Sequence, residues 1–290
     1  MPVTSMSKRA LILGGGGSAG NAWLIGVVAG LFEGGVDVTG ADVIIGTSAG
    51  STAAVQVTCA SPTQLLADIL SAPPQQRAGP VGPMVDHMQR TSEIIAGAEN
   101  AADLRRRLGA AALEMDAESD GSWQARWRAT VAARLPSQDW PGQMVLITAV
   151  DAHTGEPVVF DRNSGVDLVD AIAASCASGA AYGIGDNRYI DGGYRRSSEN
   201  ADLAAGYGRV LVLSPLGGRT RLPLEWGMHL AAQVDELRAS GSRVETVLPD
   251  SDSLTAFGTN MMDLSTRPHA ARAGYEQGRA LSERFAEFWR

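Results

Sequence analysis

Within its first sixty residues the chain twice runs a short apolar strand through glycines into an apolar helix. Ala10-Leu11-Ile12-Leu13 meets Gly14-Gly15-Gly16-Gly17-Ser18-Ala19-Gly20, and the helical stretch from Asn21 to Phe32 stops at Gly34-Gly35. Ala41 to Ile45 meets Gly46-Thr47-Ser48-Ala49-Gly50, and the helix from Ser51 to Cys59 stops at Ser61-Pro62. Two such units in succession predict an α/β fold, with a mostly parallel central sheet and helices on its faces.

Leu65 to Leu70, Met84 to Ala98, Ala101 to Met115 and Ser122 to Leu135 have helical patterns, and residues 71–83, rich in Pro and Gly, read as a loop. Strand patterns resume at Met144 to Val150, turn at 151–155, and return at Pro157 to Phe160. A small-residue helix is expected over 165–177. Tyr189-Ile190 then leads into Asp191-Gly192-Gly193, Arg209 to Leu213 reads as a buried strand, 224–239 as a helix, 243–248 as a strand and 268–290 as a terminal helix. No linker interrupts this order. One domain over 1–290 is expected, with a helical insertion at about 62–140 and a largely helical extension at about 216–290.

Composition excludes several functions. With 290 residues and a hydrophobic fraction of 44%, the chain can bury a sizeable core. Lys and Arg number 24 against 32 Asp and Glu, a net charge of -8, which disfavours nucleic acid and firm adhesion to anionic lipid. Arg105-Arg106-Arg107 reads as a solvated helix face. Cys59 and Cys176 lie in small-residue helical runs and are expected as free, buried thiols. Neither a signal peptide nor a membrane span of about 18 apolar residues is evident, so a cytoplasmic location is expected.

Gly46-Thr47-Ser48-Ala49-Gly50 fits G-x-S-x-G, with a strand before it and a helix after it. A serine hydroxyl is a weak nucleophile and must stand clear of the backbone, near a base and near oxyanion donors. A tight strand-to-helix turn does this, and only glycines at Gly46 and Gly50 leave room for it. Residues 14–20 also fit G-x-G-x-x-G, a dinucleotide fingerprint. That reading needs an acid at the end of the second strand, whereas Glu33 and Asp37 flank Gly34-Gly35. Next to a nucleophile turn, the exposed N–H groups of such a loop suit a developing oxyanion. Asp191-Gly192-Gly193, with an acid at a strand end, is weak alone and gains weight beside the other two motifs.

Together, A-L-I-L-G-G-G-G-S-A-G, G-T-S-A-G, I-T-A-V-D-A-H-T-G-E, A-I-A-A-S-C-A and Y-I-D-G-G resemble the patatin-like phospholipase family, bacterial branch, over about residues 8–215. The resemblance implies a three-layer α/β/α fold and a Ser–Asp dyad without histidine. Ser48 would be the nucleophile and Asp191 the general base, the N–H groups of Gly15, Gly16 and Gly17 would form the oxyanion hole, and Gly20, Gly46, Gly50, Gly192 and Gly193 would support the turns. It implies an acyl hydrolase for lipid or small esters, with no cofactor or metal, transient contact with a membrane or micelle, and no nucleic-acid partner. Two positions depart from the family pattern. Ala19 stands where many members carry a basic residue, and 178–185 has glycines in place of prolines, which should loosen a segment beside the site.

Two other readings remain open from the residues. An α/β-hydrolase triad could use Ser48, Asp191 and either His229 or His269, while His87 and His153 have no catalytic context. A nucleotide-binding or scaffold protein could use the glycine loop without hydrolysis. Trp123 and Trp127, spaced i,i+4, either line an acyl channel or pack the insertion onto the sheet.

Overall fold

The computed structural model describes residues 7–73 and 82–290. Most of the loop expected at 71–83 lies outside them, and His87 falls where only the backbone of a helix is described.

Parallel strands form the centre. β1 (Arg9–Leu13) lies between β2 (Val43–Gly46) and β7 (Arg209–Leu213); β3 (Val145–Asp151) flanks β2, and β8 (Arg243–Val247) flanks β7, all in parallel. β4 (Pro157–Phe160), β5 (Tyr182–Ile184) and β6 (Asn187–Asp191) extend the sheet through antiparallel pairs beyond β3.

Alternation along the strands sorts the two faces. Leu11, Leu13, Ile44, Ile147 and Leu211 face one core, with helices α1 (Gly17–Glu33), α2 (Ala49–Cys59), α7 (Leu168–Ser175) and α10 (Arg267–Trp289). Ala10, Ile12, Val43, Ile45, Val210 and Val212 face another core, under helix α8 (Leu230–Ala239) and the short turn Ala201–Ala204. The architecture is three layers, because strands buried on both faces need cover on both.

α1 and α10 pack at backbone distance. A Cβ on Gly26 or Gly30 would sit 2.1 and 2.2 Å from the carbonyl oxygens of Ala271 and Tyr275, and one on Gly274 or Gly278 would sit 2.4 and 2.3 Å from those of Trp23 and Val27. Each helix thus carries a G-x-x-x-G stripe that fits the other. Trp23 donates from Nε1 to Ser253 and Gln277, closing one end of this contact.

The helices of 62–132 spread over different neighbours. α3 (Pro62–Ser71) lies on α1, and α4 (Gly82–Gly97) packs on α5 (Ala101–Ala117). Leu104, Leu108 and Ala112 of α5 cover Val150 and Ile190 of the sheet. On α6 (Ser122–Ala132), Trp123 packs edge-on against Tyr182 and Trp127 donates from Nε1 to the Ala173 carbonyl, so both serve packing. The expected loosening at 178–185 is not found. Residues 182–184 form strand β5, with Ala181 N–H bonded to Ala112, Gly183 N–H to Gln124 and the Tyr182 hydroxyl to Asp170.

Other differences are local. The helix expected over 224–239 is a short turn at 224–226, a left-handed Gly227 at φ 62°, and then α8. A helix α9 (Ser251–Phe257), capped by the Asp250 carboxylate accepting from Ser253 N–H, had no clear signal in sequence. Among the described residues no helix is long and apolar enough to cross a membrane.

Candidate active site

β3 aligns the two candidate groups. Ile147 pairs with Gly46 of β2 and Phe160 of β4, whereas Ala149 pairs with Asp191 of β6 and Val158 of β4. β4 therefore occupies one edge of β3, and β6 takes over the other edge where β2 leaves it. Asp191 thus arrives two residues past the end of β2, about 7 Å further along the strand direction. The chain of β2 turns there through Thr47 and Ser48 into α2.

Ser48 has φ 51° and ψ -120°, a left-handed conformation that costs a non-glycine residue about 1–3 kcal/mol. The surroundings hold it there. Its N–H donates to Ser175 Oγ at 2.9 Å, and its carbonyl accepts from Ser51 Oγ at 2.6 Å. A Cβ on Gly50 would lie 1.8 Å from the Leu13 carbonyl oxygen, and one on Gly46 2.5 Å from Ser51 Cα, so the turn closes only with glycine at both ends.

Asp191 is 8% exposed. Its Oδ1 accepts from the Gly193 N–H at 2.8 Å, and its own N–H donates to the Ala177 carbonyl. Burial raises its pKa to about 6, against the lowering effect of the Gly193 N–H and of the nearby Ser48 hydroxyl. The carboxylate is therefore basic enough to take a proton and ionised near neutrality.

A buried polar clamp joins these pieces, and the motifs gave no sign of it. Asn200, itself left-handed at φ 52°, donates from Nδ2 to Thr47 Oγ1 at 2.9 Å, to Thr148 Oγ1 at 3.3 Å and to the Gly192 carbonyl at 2.9 Å. Thr47 and Thr148 share a further hydrogen bond of 2.9 Å. The serine turn, the middle of β3 and the turn after Asp191 are thereby fixed to one another. Next in sequence, the buried Glu199 carboxylate accepts from the hydroxyls of Ser197, Ser198 and Ser214.

The glycine loop departs from expectation at one position. The Gly15 N–H donates to the Ser198 carbonyl at 2.8 Å, so it is already committed. The N–H groups of Gly16 and Gly17, at the start of α1, have no acceptor among the described residues, nor has that of Ala49 at the start of α2. Both helix N-termini therefore bring positive potential to the same place. Near Ala19, Arg267 of α10 donates from Nη1 to the Ser18 carbonyl at 3.0 Å and to Asn21 Oδ1 at 3.1 Å, so a cation reaches this turn from the far end of the chain.

Gly15, Gly16, Gly17, Ser48, Asp191 and Gly193 all line one cavity of about 420 Å³. Leu104, Leu108, Leu222, Leu230 and Met261 make much of its wall, with Arg219 and Arg221 also lining it. His229 lies on this wall with Nδ1 buried and unpartnered, whereas His269 lines other cavities and His153 sits in the 151–155 turn. Neither tryptophan of the 123/127 pair lines it.

The nucleotide reading loses its acid. Glu33 ends α1, about 25 Å from the glycine loop at roughly 1.5 Å per residue, and pairs with Arg279 and Tyr275. Asp37 accepts from Thr39 nearby. Among the described residues no group of three or more His, Cys, Asp or Glu is placed to hold a metal ion.

A family model for patatin-like phospholipase matches residues 11–205. Among solved structures, VipD from Legionella pneumophila is 12% identical with a TM-score of 0.42; the similarity covers 96% of this chain and 67% of that one. The type III effector protein ExoU is 16% identical with a TM-score of 0.40, over 95% of this chain and 52% of that one, so this chain spans about half of ExoU's length. No curated protein matches the chain. The family match runs from β1 through the serine turn and the Asp191 turn to the Asn200 clamp, and with it the chain belongs to the patatin-like phospholipases.

Proposed function

We propose that the protein hydrolyses carboxylic esters of lipids or small acyl compounds, with Ser48 as nucleophile and Asp191 as its base. The observation that carries this reading is a strained serine turn, with Ser48 half-buried on the cavity wall, meeting a buried carboxylate of raised pKa in one cavity. Asp191 takes the hydroxyl proton as Ser48 Oγ attacks the ester carbonyl. The resulting oxyanion accepts hydrogen bonds from the Gly16 and Gly17 N–H groups, with Ala49 as a third donor in place of the expected Gly15. Collapse expels the alcohol, which takes the proton from Asp191 and leaves an acyl-Ser48 ester. Water, deprotonated by Asp191, then attacks that ester; collapse releases the carboxylic acid, and Asp191 returns the proton to the departing Ser48 Oγ. No step uses a metal or cofactor. The leucine-lined wall suits an acyl chain, and the substrate meets the protein by transient contact with a membrane or micelle.

His229 favours a second reading, because it lines the same cavity and its buried Nδ1 has no partner among the described residues. A triad would route the proton through it. Turnover of a 4-nitrophenyl ester series from acetate to palmitate separates the two. The dyad predicts loss in Ser48→Ala and Asp191→Asn, and near-full activity in His229→Ala. Loss of 1000-fold or more in His229→Ala would establish the triad instead.

A further inference from the structure

Away from the candidate active site, a second and larger cavity of about 650 Å³ opens between α1, α2, α3, the end of α6 and the start of α10. That volume is in the range of small-molecule sites. Ile25, Leu65, Ile69, Leu135 and Leu264 give it an apolar wall. Two arginines, Arg134 and Arg267, also line it, and neither guanidinium has a carboxylate partner among the described residues. The Arg134 guanidinium lies 5.5 Å from the centre of the Trp127 ring. Arg267 has only neutral acceptors, the Ser18 carbonyl and Asn21 Oδ1. Asp68 lines the cavity too, but it accepts from Gln64 at 2.7 Å and pairs with neither arginine; His269 completes the polar lining.

Burial, and then the charge of Arg134, lower the pKa of Arg267 to about 10, so the two cations repel each other across this cavity. An anion between them would relieve that repulsion and gain charge-assisted hydrogen bonds from planar donor groups. An acyl chain attached to it would lie against the leucine and isoleucine wall. We propose that this cavity binds a single-chain amphiphile with an anionic head, the carboxylate or phosphate held between Arg134 and Arg267 and the chain on the apolar wall.

Such an occupant would touch the frame of the candidate active site. Arg267 bonds Asn21; Asn21 Nδ2 donates to the Ala49 carbonyl at 3.4 Å and to Gln56 Oε1 at 2.9 Å; and Gln56 Nε2 donates to the Arg134 carbonyl at 3.0 Å. This chain of bonds runs from one arginine to the other through Asn21 of α1 and Gln56 of α2, with a branch to Ala49 beside Ser48.

The test is calorimetric titration of the Ser48→Ala protein with laurate and, separately, with dodecyl phosphate, both below their micellar concentrations. This background removes turnover, so the result does not depend on the proposed hydrolysis. One-site binding is expected with at least one of the two, and the pair identifies which head group is preferred. Arg134→Gln, at an exposed position that leaves folding intact, should weaken it tenfold or more; Arg134→Lys should restore part of the loss. Ile69→Trp, which fills the cavity with both charges in place, should weaken it comparably. Arg219→Gln in the other cavity should change it less than twofold. The proposal is overturned by no binding of either amphiphile, by unchanged binding in Arg134→Gln, or by loss in Arg219→Gln. Equal affinity for neutral dodecyl maltoside, or for inorganic phosphate without a chain, overturns it as well.

Discussion

Asp191→Asn should make the protein more stable above pH 6 while removing its activity. Burial lifts the Asp191 pKa from 3.8 to about 6, so the ionised form is disfavoured in the folded chain. At 1.36 kcal/mol per pH unit, that shift corresponds to about 3 kcal/mol. Between pH 3.8 and 6 the folded chain keeps this proton while the unfolded chain releases it, so this group makes stability fall as pH rises through that window. Above pH 6 the whole cost is present, and below pH 3.8 it vanishes. Asparagine keeps the oxygen that accepts from Gly193 N–H and carries no charge. For a chain of this length about 3 kcal/mol corresponds to roughly 5 °C in Tm. Scanning calorimetry of both proteins across pH 4 to 8 should show a gap that opens between pH 4 and 6 and stays constant above. A variant of equal or lower Tm at pH 7.5, or a gap independent of pH, would refute the claim that the folded site holds this carboxylate at a cost.

Under the proposed mechanism the same group sets the rate. Esterase activity, measured as kcat/KM, should rise with pH about a midpoint near 6 and level off above, because the base acts only when deprotonated. Asn200→Ala leaves Thr47, Thr148 and the Gly192 carbonyl without their shared donor, and should cost about 2–4 kcal/mol of stability by urea denaturation, with at least a tenfold fall in kcat. Gly30→Ala puts a methyl 2.2 Å from the Tyr275 carbonyl oxygen, and should lower stability by about 3 kcal/mol or more by forcing α1 from α10. Ser175→Ala removes the acceptor of the Ser48 N–H and should lower kcat with little change in KM.

Much of the central sheet is readable because its strands are short apolar runs bounded by glycine, serine or proline. Ala10 to Leu13, Ala41 to Ile45, 144–150, 157–160 and 209–213 fall within two residues of the observed strands. Helix starts come earlier than expected, by four residues for α1 and two for α2. α1 begins at Gly17 and α2 at Ala49, several glycines or small residues before a periodic pattern could start. β5 is hidden because Gly183 breaks its strand pattern and pairing with Arg188 makes the strand. Gly227 divides the 224–239 stretch because its left-handed backbone ends one helical turn before another begins.

The serine turn, the glycine loop and Asp191 were visible because each carries glycines whose spacing only close backbone packing explains. What holds them together was not. Thr47, Thr148, Asn200 and Ser175 are ordinary polar residues whose meaning lies in contacts 52 to 153 positions apart. Gly15 could not be separated from Gly16 and Gly17 before the Ser198 carbonyl was seen on its N–H. Arg267 is equally silent in sequence, since it reaches Ser18 only because the α1 and α10 glycine stripes bring the two helices into contact.

The most direct test of the account is labelling with a fluorophosphonate, read by intact mass on wild type, Ser48→Ala and Asp191→Asn at pH 7.5. The account predicts one adduct on the wild type, none on Ser48→Ala, and labelling at least a hundredfold slower on Asp191→Asn. Labelling that persists in Ser48→Ala, or runs at the wild-type rate in Asp191→Asn, would contradict a serine activated by this aspartate.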